Sequence, residues 1–382
     1  MFNISNAHVS VLGMLIMSTS SPVMAVQPQT DNPQRYNYEE AYQLPELGTP
    51  LLLADAKPAA KKAKPGAAPS AECQAFSKDP NADLGAVLKA GCEPTLKQMS
   101  ALMDNPLGNV AMLITQFDTT RLENPTINKE ASQTVYMGIA QFPKKLNPEW
   151  NLINRFIWTV PSVPLDQDKI NDYDISLGPG GGLLPPGSGL LPPIDLFEGR
   201  TTGFGDMFYV GLFSPSKPID VEGGGKIVWG AGFDIGLPTA TEDILGTGRW
   251  TGGPSLLGVY LGPKWKVGAL ATQYWDFAGD NDRGSVNMTN LQYFMFYSID
   301  DVSSIGAAPN IICNWEQTND NRCTIPIGIG YNTTVQMGKV PVRMGIEVHY
   351  SVVQPDDIPG SAWNVRVFFI PGVPSALFDW MQ

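Results

Sequence analysis

Long apolar runs are missing from this sequence of 382 residues. A helix that crosses a bilayer needs about 20 mostly apolar residues in succession, so a transmembrane helix is excluded on length. Charge is also scarce, because Asp, Glu, Lys and Arg make up only 16% of the residues, and the mean hydropathy is -0.08. Strands that alternate apolar with polar residues average to a similar near-neutral value, so membrane-spanning strands remain compatible with these numbers.

Positively charged residues are sparse as well. The chain has 25 Lys and Arg residues against 37 Asp and Glu, which gives a net charge of -12. Since binding to a phosphate backbone needs clustered Lys and Arg, this balance argues against nucleic acid as a partner. The one basic cluster lies among Ala and Pro and is typical of a solvated linker. It consists of Lys57, Lys61, Lys62 and Lys64.

The N-terminus has the pattern of a secretory signal over residues 1–25. Val9–Met17 form an apolar core, and residues 23–25 form a cleavage site, although no Lys or Arg precedes the core. A buried first helix is the alternative. Residues 26–71 are polar and then rich in Ala, Lys and Pro, so they cannot bury enough apolar surface to fold alone. We expect them to form a disordered tether in the periplasm.

Four cysteines in an exported chain predict two disulfides. Their spacing favours Cys73 with Cys92 and Cys313 with Cys323. A zinc site made of the four thiolates is the alternative, but no CxxC spacing supports it.

Residues 72–105 carry a helical pattern. Apolar residues recur at three- and four-residue steps, and Gly91 and Pro94 interrupt them. We therefore expect a short segment of two helices linked by a disulfide. The apolar positions are Leu84, Val87, Leu88, Leu96, Met99 and Leu102.

From residue 106 onward the apolar period changes from helical to two. Val342, Met344, Ile346, Val348 and Tyr350, for example, alternate with Arg343, Gly345, Glu347 and His349. This places apolar and polar side chains on opposite faces of a strand. Twelve such segments are centred near residues 114, 138, 155, 209, 232, 256, 270, 294, 310, 328, 346 and 367. We predict an all-β fold, a single antiparallel transmembrane β-barrel of about 12 strands over residues 106–372, followed by a C-terminal extension over residues 373–382.

The connections support the same topology, because outer membrane barrels alternate short periplasmic turns with longer extracellular loops. Short links occur near residues 144–148, 262–264, 300–303 and 337–339. The link at residues 214–226 is an exception, since it is long where a short periplasmic turn is expected.

The tryptophans also fit a membrane, whose two interfaces attract Trp rings. Trp150, Trp229 and Trp265 begin strands at the periplasmic side, and Trp250, Trp275, Trp315 and Trp363 lie at the opposite strand ends. A soluble β-sandwich is the alternative fold, and it gives no reason for this sorting.

Eleven sequence blocks recur in an order and spacing known from one family. They are Gly203–Asp206, Leu212–Pro215, Trp229–Gly232, Leu237–Thr241, Leu245–Trp250, Gly253–Pro254, Gly268–Leu270, Trp275, Ala278–Asp280, Asp282–Arg283 and Val286–Asn287. Together they resemble a bacterial outer-membrane family described as transporters of the meta pathway of phenol degradation and often mislabelled neuromedin U. The resemblance covers roughly residues 96–371. It implies an outer-membrane barrel and small-molecule uptake, and it names no catalytic residue.

Three parts of the chain depart from that family. They are the cysteine-bearing N-terminal segment, the Gly/Pro/Leu-rich insertion at residues 177–196 and the C-terminal extension. The insertion lacks the Lys and the strand-to-helix context of a phosphate loop, so we expect an extracellular flap.

Six side chains are predicted to face the lumen and line a substrate path. They are Arg155, Arg343, Glu347, His349, Asn364 and Arg366. The last two strands should pair as a hairpin, which brings Glu347 near Arg366. In one interpretation these groups set substrate preference, as charged rings do in pores. In the other they form a salt-bridge cluster that fills a narrow barrel.

His349 and Ser351 share one strand face, with a spacing like that of outer-membrane phospholipases. A hydrolase needs a nucleophile, a base and an orienting group within hydrogen-bond reach. The alternation turns His349 toward the lumen, whereas a lipid-cleaving pair would have to face the bilayer. We therefore predict no enzyme activity, no catalytic residue and no cofactor.

Acidic residues crowd the predicted outer loops, where carboxylates could hold Ca²⁺ alone or bridged to lipopolysaccharide phosphates. No spacing matches a calcium loop, so solvated charge is the preferred interpretation and no metal site is predicted. The residues are Asp166, Asp168, Asp172, Asp174, Glu242, Asp243, Asp280, Asp282, Asp356 and Asp357.

The sequence as a whole predicts an outer-membrane channel or transporter for small molecules, including aromatic or hydrophobic ones. Its expected partners are outer-membrane lipid and lipopolysaccharide. A structural or surface-interaction barrel that transports nothing is the alternative.

Overall fold

The computed structural model describes residues 71–78, 90–108, 110–124, 129–168, 199–338, 340–356 and 360–374. The predicted signal peptide, residues 26–70 of the tether, the insertion at residues 177–196 and the residues after 374 lie outside the described residues. The same is true of Leu84, Val87 and Leu88 in the first predicted helix. Within the described ranges, no helix is both long and apolar enough to cross a membrane.

Fifteen strands form one sheet in the described residues, and neighbouring strands run antiparallel. They are β1 (Val110–Asn124), β2 (Lys129–Lys145), β3 (Trp150–Val163), β4 (Thr201–Thr202), β5 (Met207–Pro215), β6 (Ile219–Val221), β7 (Gly225–Leu237), β8 (Arg249–Leu261), β9 (Trp265–Gly279), β10 (Asn287–Ser298), β11 (Ser303–Ala307), β12 (Asn310–Asn314), β13 (Cys323–Met337), β14 (Val340–Val353) and β15 (Gly360–Pro374).

The sheet closes on itself as a barrel, because β15 pairs with β1 and β10 pairs with β9. β11 and β12 lie end to end between β10 and β13, and β4 and β6 are short additions to β3 and β7. Twelve barrel strands result, which confirms the predicted fold class, and each predicted strand centre falls in one of them. β15 runs two residues past the expected boundary at residue 372.

Side chains alternate between the outer face and the lumen along each barrel strand, as the period of two requires. On β14, Ile346 is 49% exposed on the outside, whereas Glu347 is 3% exposed on the inside. On β13, Ile327 and Ile329 are exposed, and the intervening glycine at position 328 leaves inward space. The barrel therefore has an apolar outer face and a largely polar inner face.

The connections divide the barrel into two ends. The turn end carries the short links at residues 146–149, 262–264, 299–302 and 338–339, and the loop end carries the longer ones. The exceptional link between β5 and β7 lies at the turn end. It is long because β6 pairs with the start of β7 as a small hairpin, closed by Gly223 and Gly224 at φ of 90° and 83°. Only glycine adopts such angles without strain.

Among the described residues, two short helices precede the barrel, α1 (Ala71–Lys78) and α2 (Leu96–Met103). α2 starts at a capping box, in which the Thr95 hydroxyl accepts from the Gln98 backbone N–H and the Gln98 side chain accepts from the Thr95 N–H. α1 begins at residue 71, the last residue of the predicted tether. The cysteines pair as their spacing predicts, Cys73 with Cys92 beside α1 and Cys313 with Cys323 between β12 and β13.

Candidate functional site in the barrel lumen

The N-terminal segment lies inside the turn end of the barrel. Its α2 helix packs Met99 and Met103 against Val110 and Met112 of β1. Beyond the helix, Leu107 packs into a buried apolar cluster on the opposite strands. That cluster contains Ile153, Val210, Leu212, Val228, Leu257 and Val259. We call α2 and residues 104–108 the plug, because they contact the barrel wall on both sides.

Polar contacts fix the plug in place. Asp104 follows α2 and forms ion pairs with Arg343 of β14 and Lys266 of β9, each at 2.5 Å. Arg343 also donates to the backbone oxygen and the hydroxyl of Ser100, both at 3.1 Å. On another wall, the Gln141 amide of β2 donates to the Pro106 oxygen at 3.0 Å. Strands that are distant in sequence therefore hold one short segment across the lumen.

A second group of inward side chains, which we call the lumen network, lies on β1, β14 and β15. The register aligns Asp118, Arg366 and Glu347 in one row. The Arg366 Nε donates to Asp118 Oδ1 at 2.9 Å, and its Nη1 lies 3.9 Å from Glu347 Oε2. Ala308, at the break between β11 and β12, donates its N–H to Glu347 and accepts from Arg366. Each charge in this row therefore has a partner.

The second row of the lumen network contains Thr120, Asn364 and His349. Asn364 donates to Asp118 Oδ1 at 2.6 Å and bonds to His349 Nδ1 at 3.2 Å. The His349 Nε2 lies 2.8 Å from Glu347 Oε2, so both ring nitrogens have partners. These hydrogen bonds fit a neutral imidazole with its proton on Nε2.

Glycines on β13 make room for this network. Gly330 pairs with Glu347 and Gly328 with His349. A Cβ atom at Gly330 would lie 2.7 Å from the Glu347 Cγ, and a Cβ at Gly328 would meet the His349 ring. The small residues of β13 therefore let the long side chains of β14 lie across it and reach Ala308.

Between the plug and the loop end the lumen contains a cavity of about 250 Å³. One wall is an apolar row that crosses four neighbouring strands, and the facing wall carries amides and charges. The apolar row is Ile114, Ile139, Ile157 and Phe208. The facing wall includes Gln292, Asn310, Glu347 and Arg366. Such a mixture of apolar surface and a few polar groups is typical of ligand sites.

Arg155 of β3 lies at the edge of the apolar row and lines the cavity. It is 9% exposed, and its Nε is buried without a hydrogen-bond partner in the described part of the chain. Arg155 aligns with Val210 of β5 and, one strand further, with Asp234 of β7. Its position differs in this respect from those of Arg343 and Arg366, which have carboxylate partners.

The six residues predicted to face the lumen are all in contact with it, but in three different settings. Arg155 lies in the cavity wall, and Arg343 holds the plug. The other four belong to the lumen network, where Arg366 and Glu347 are neighbours as the hairpin implies. These four are Glu347, His349, Asn364 and Arg366.

Two carboxylates with central roles were not predicted from the sequence. They are Asp104, which holds the plug, and Asp118, which belongs to the lumen network. Asp118 has a signal in the sequence, because Gln116, Asp118 and Thr120 alternate with outward Phe117 on β1. Asp104 has none, because it follows a helix and its partners lie far along the chain.

The predicted pair of His349 and Ser351 does face the lumen, and both residues are buried. The ring nitrogens of His349 bond to Glu347 and Asn364 rather than to the Ser351 hydroxyl. A base poised on a serine nucleophile is therefore not the arrangement at this position.

The acidic residues of the outer loops are only partly within the described residues, because Asp172, Asp174 and Asp357 lie outside them. In the ranges that the structure covers, no three His, Cys, Asp or Glu side chains are grouped to hold a metal ion.

Three blocks of the family resemblance, Gly203–Asp206, Leu237–Thr241 and Leu245–Trp250, meet at the loop end. The Asp206 carboxylate accepts hydrogen bonds from the N–H groups of Thr239, Ala240 and Thr247 and from the Thr247 hydroxyl, at 2.7–3.2 Å. Burial raises the pKa of Asp206 above its ordinary value, although these donors act in the opposite direction. Arg283 donates to the Gly246 oxygen at 2.6 Å. These contacts hold the loops together, and Asp206, Thr239, Ala240 and Thr247 do not line the cavity.

No family model and no curated protein matches this chain. Among solved structures, an outer membrane channel from Pseudomonas putida F1 is 16% identical, with a TM-score of 0.46 over 69% of this chain and 94% of that chain. Outer membrane phospholipase A from Escherichia coli is 10% identical, with a TM-score of 0.36 over 69% and 90%. A FadL homologue from Pseudomonas aeruginosa is 10% identical, with a TM-score of 0.30 over 70% and 90%. Likeness at this level concerns the general fold and carries no information on activity.

Proposed function

We propose that this chain is a channel of the bacterial outer membrane that admits small molecules, aromatic and hydrophobic ones among them, into its lumen. The observation that carries the proposal is the cavity of about 250 Å³, whose apolar row faces amides and charges inside a closed barrel. An apolar surface enclosed in this way binds the body of a hydrophobic ligand, and the few polar groups orient it.

The outer face of the barrel supports the membrane location. A closed barrel leaves no unpaired strand edge, so it satisfies its backbone hydrogen bonds in lipid. Tryptophans are exposed at both ends, Trp150 and Trp229 near the turn end and Trp275 and Trp363 near the loop end. Rings of this kind favour the headgroup level, so we infer contact with outer-membrane lipid and lipopolysaccharide. Short turns are periplasmic in such barrels, which favours a periplasmic plug.

The family resemblance supports an aromatic substrate. Its blocks include Gly203–Asp206, Leu237–Thr241 and Leu245–Trp250, and the residues of these blocks contact each other through Asp206. These contacts give the three blocks a common structural role at the loop end. We therefore propose membership in the family described as transporters of the meta pathway of phenol degradation.

A structural barrel that transports nothing is the second candidate. The plug favours it, because ion pairs of Asp104 hold this segment across the turn end. The two candidates differ in one measurable property, which is whether a molecule crosses the lumen.

Filling the cavity tests the proposal. Ile139 is buried in the apolar row, so we expect Ile139→Trp to occupy the cavity and reduce the uptake of labelled naphthalene to that of cells without the protein. Val365 lies on the outer face, and Val365→Trp is the matched control that should retain wild-type uptake. The measurement is the initial uptake rate in cells that carry each variant in the outer membrane. Equal rates for Ile139→Trp and wild type would exclude the lumen as the route, and no gain over empty cells would favour the structural barrel.

A further inference from the structure

Arg155 differs from the other arginines that line the cavity. Arg343 pairs with Asp104, and Arg366 pairs with Asp118. Arg155 forms neither a hydrogen bond nor an ion pair through its side chain within the described ranges, although it is 9% exposed. An unpaired charge at a buried position is unfavourable, because it gives up hydration without compensation. This position is therefore open for an anion.

An acidic residue, Asp234 of β7, lies near Arg155 in the strand register. In the register, Val210 lies between the two residues, so they are two strand spacings apart, roughly 10 Å at about 4.8 Å per strand. Asp234 instead accepts from the Ser255 hydroxyl at 3.4 Å. Within the described ranges no hydrogen bond or ion pair joins Asp234 to the guanidinium of Arg155.

The surroundings of Arg155 restrict what kind of anion would fit. Ile157 lies two residues further along the same strand face, and Ile139 and Phe208 extend the apolar surface on the neighbouring strands. A hydrated inorganic anion gains nothing from such surface. Glu347 on the facing wall also disfavours a ligand of high negative charge. A single carboxylate on an apolar body satisfies both conditions.

The size of the cavity agrees with a small ligand of this type. An apolar cavity of about 150 Å³ binds benzene. The cavity of about 250 Å³ therefore has room for one ring and a carboxylate. Arg is suited to the contact, because its planar guanidinium donates two parallel hydrogen bonds to a carboxylate.

We infer that Arg155 binds the carboxylate of a small monoacid whose aromatic or alkyl body packs against Ile139, Ile157 and Phe208. This inference rests on the proposed function and names the substrate class of the same site.

Calorimetric titration of the purified full-length protein in detergent at pH 8 tests the inference, with benzoate and the neutral benzyl alcohol as probes. We expect wild type to bind benzoate and Arg155→Met to bind it at least tenfold more weakly, while both bind benzyl alcohol equally. Arg155→Lys keeps the charge and should retain part of the benzoate affinity. Arg121 is an exposed arginine of β1 that lies away from the cavity, so Arg121→Met is the matched control and should bind as wild type does.

The outcomes separate the two proposals. Equal benzoate affinity in wild type and Arg155→Met would overturn the inference, and naphthalene uptake blocked by Ile139→Trp would then still support the channel. If uptake does not depend on the lumen and neither probe binds, the proposed function fails together with the inference. Should Arg155→Met not fold, Arg155→Gln supplies the same comparison, because it removes the charge and keeps hydrogen-bonding capacity.

Discussion

Charged residues in the lumen differ in how completely they are paired, and the difference separates structural groups from candidate binding groups. Asp118 has a side chain that is 0% exposed and accepts from Arg366, Asn364 and Gln116. A buried carboxylate with this many donors is stable as long as the donors remain. Arg155 lacks such partners in the described residues. At the scale of single residues, the lumen network therefore stabilises the barrel, whereas Arg155 is available to a ligand.

Removing the central cation of the lumen network should destabilise the protein. Arg366→Met leaves Asp118 buried without its ion-pair partner, and breaking a buried pair in this way costs about 3–5 kcal/mol. We expect a correspondingly lower free energy of unfolding, measured by guanidinium unfolding of the folded barrel. Arg121→Met provides the control, because Arg121 pairs with Glu130 on the exposed surface and should leave stability unchanged. A stability loss no larger than that of the control would contradict a structural role for the network.

The α2 helix and Asp104, which follows it, close the turn end of the barrel. The α2 helix has a capping box at its start, and its buried methionines fit against β1. Asp104 then links it to β9 and β14 through Lys266 and Arg343. All these partners belong to the barrel wall, so Asp104 and the helix both hold the plug in position.

Neutralising Asp104 should loosen the plug. Asp104→Asn removes both ion pairs while keeping the side-chain size, so we expect a higher ion conductance than wild type in planar bilayers. Lys97→Gln is the matched control, because Lys97 pairs with Asp301 at the exposed rim of the plug and should leave conductance unchanged. Identical conductance for Asp104→Asn and wild type would mean that these ion pairs do not hold the turn end closed.

The strands could be predicted because their signal is local, whereas the plug could not. Alternation such as Ile346, Glu347 and Val348 is contained in a few residues of one strand. The contact of Asp104 with Arg343 instead joins residues that are far apart in the sequence, and nothing near Asp104 indicates it. The length of the link between β5 and β7 was recognised in the sequence, but its cause was not, because the pairing of β6 with β7 adds a hairpin to what would otherwise be a short turn.

At the scale of the whole molecule, the lumen has three parts in order from the turn end. The plug comes first, the cavity with Arg155 and the apolar row follows, and the lumen network covers the wall formed by β1, β14 and β15. Six inward residues were predicted from alternation, but alternation gives only the face on which a side chain lies. Which of them meet depends on barrel closure and register, so the cavity between Ile139 and Glu347 could not be derived from the sequence.

The central claim is that the barrel wall separates lipid on the outside from an accessible cavity on the inside. All four native cysteines form disulfides, so one introduced cysteine is the single free thiol. The measurement is the labelling of Asn310→Cys, which lines the cavity, and of Ile346→Cys, which faces outward, by a small water-soluble methanethiosulfonate reagent on intact cells. The account predicts rapid reaction at position 310 and none at position 346, because a thiol in lipid is not ionised. Reaction at position 346 with none at position 310 would contradict it.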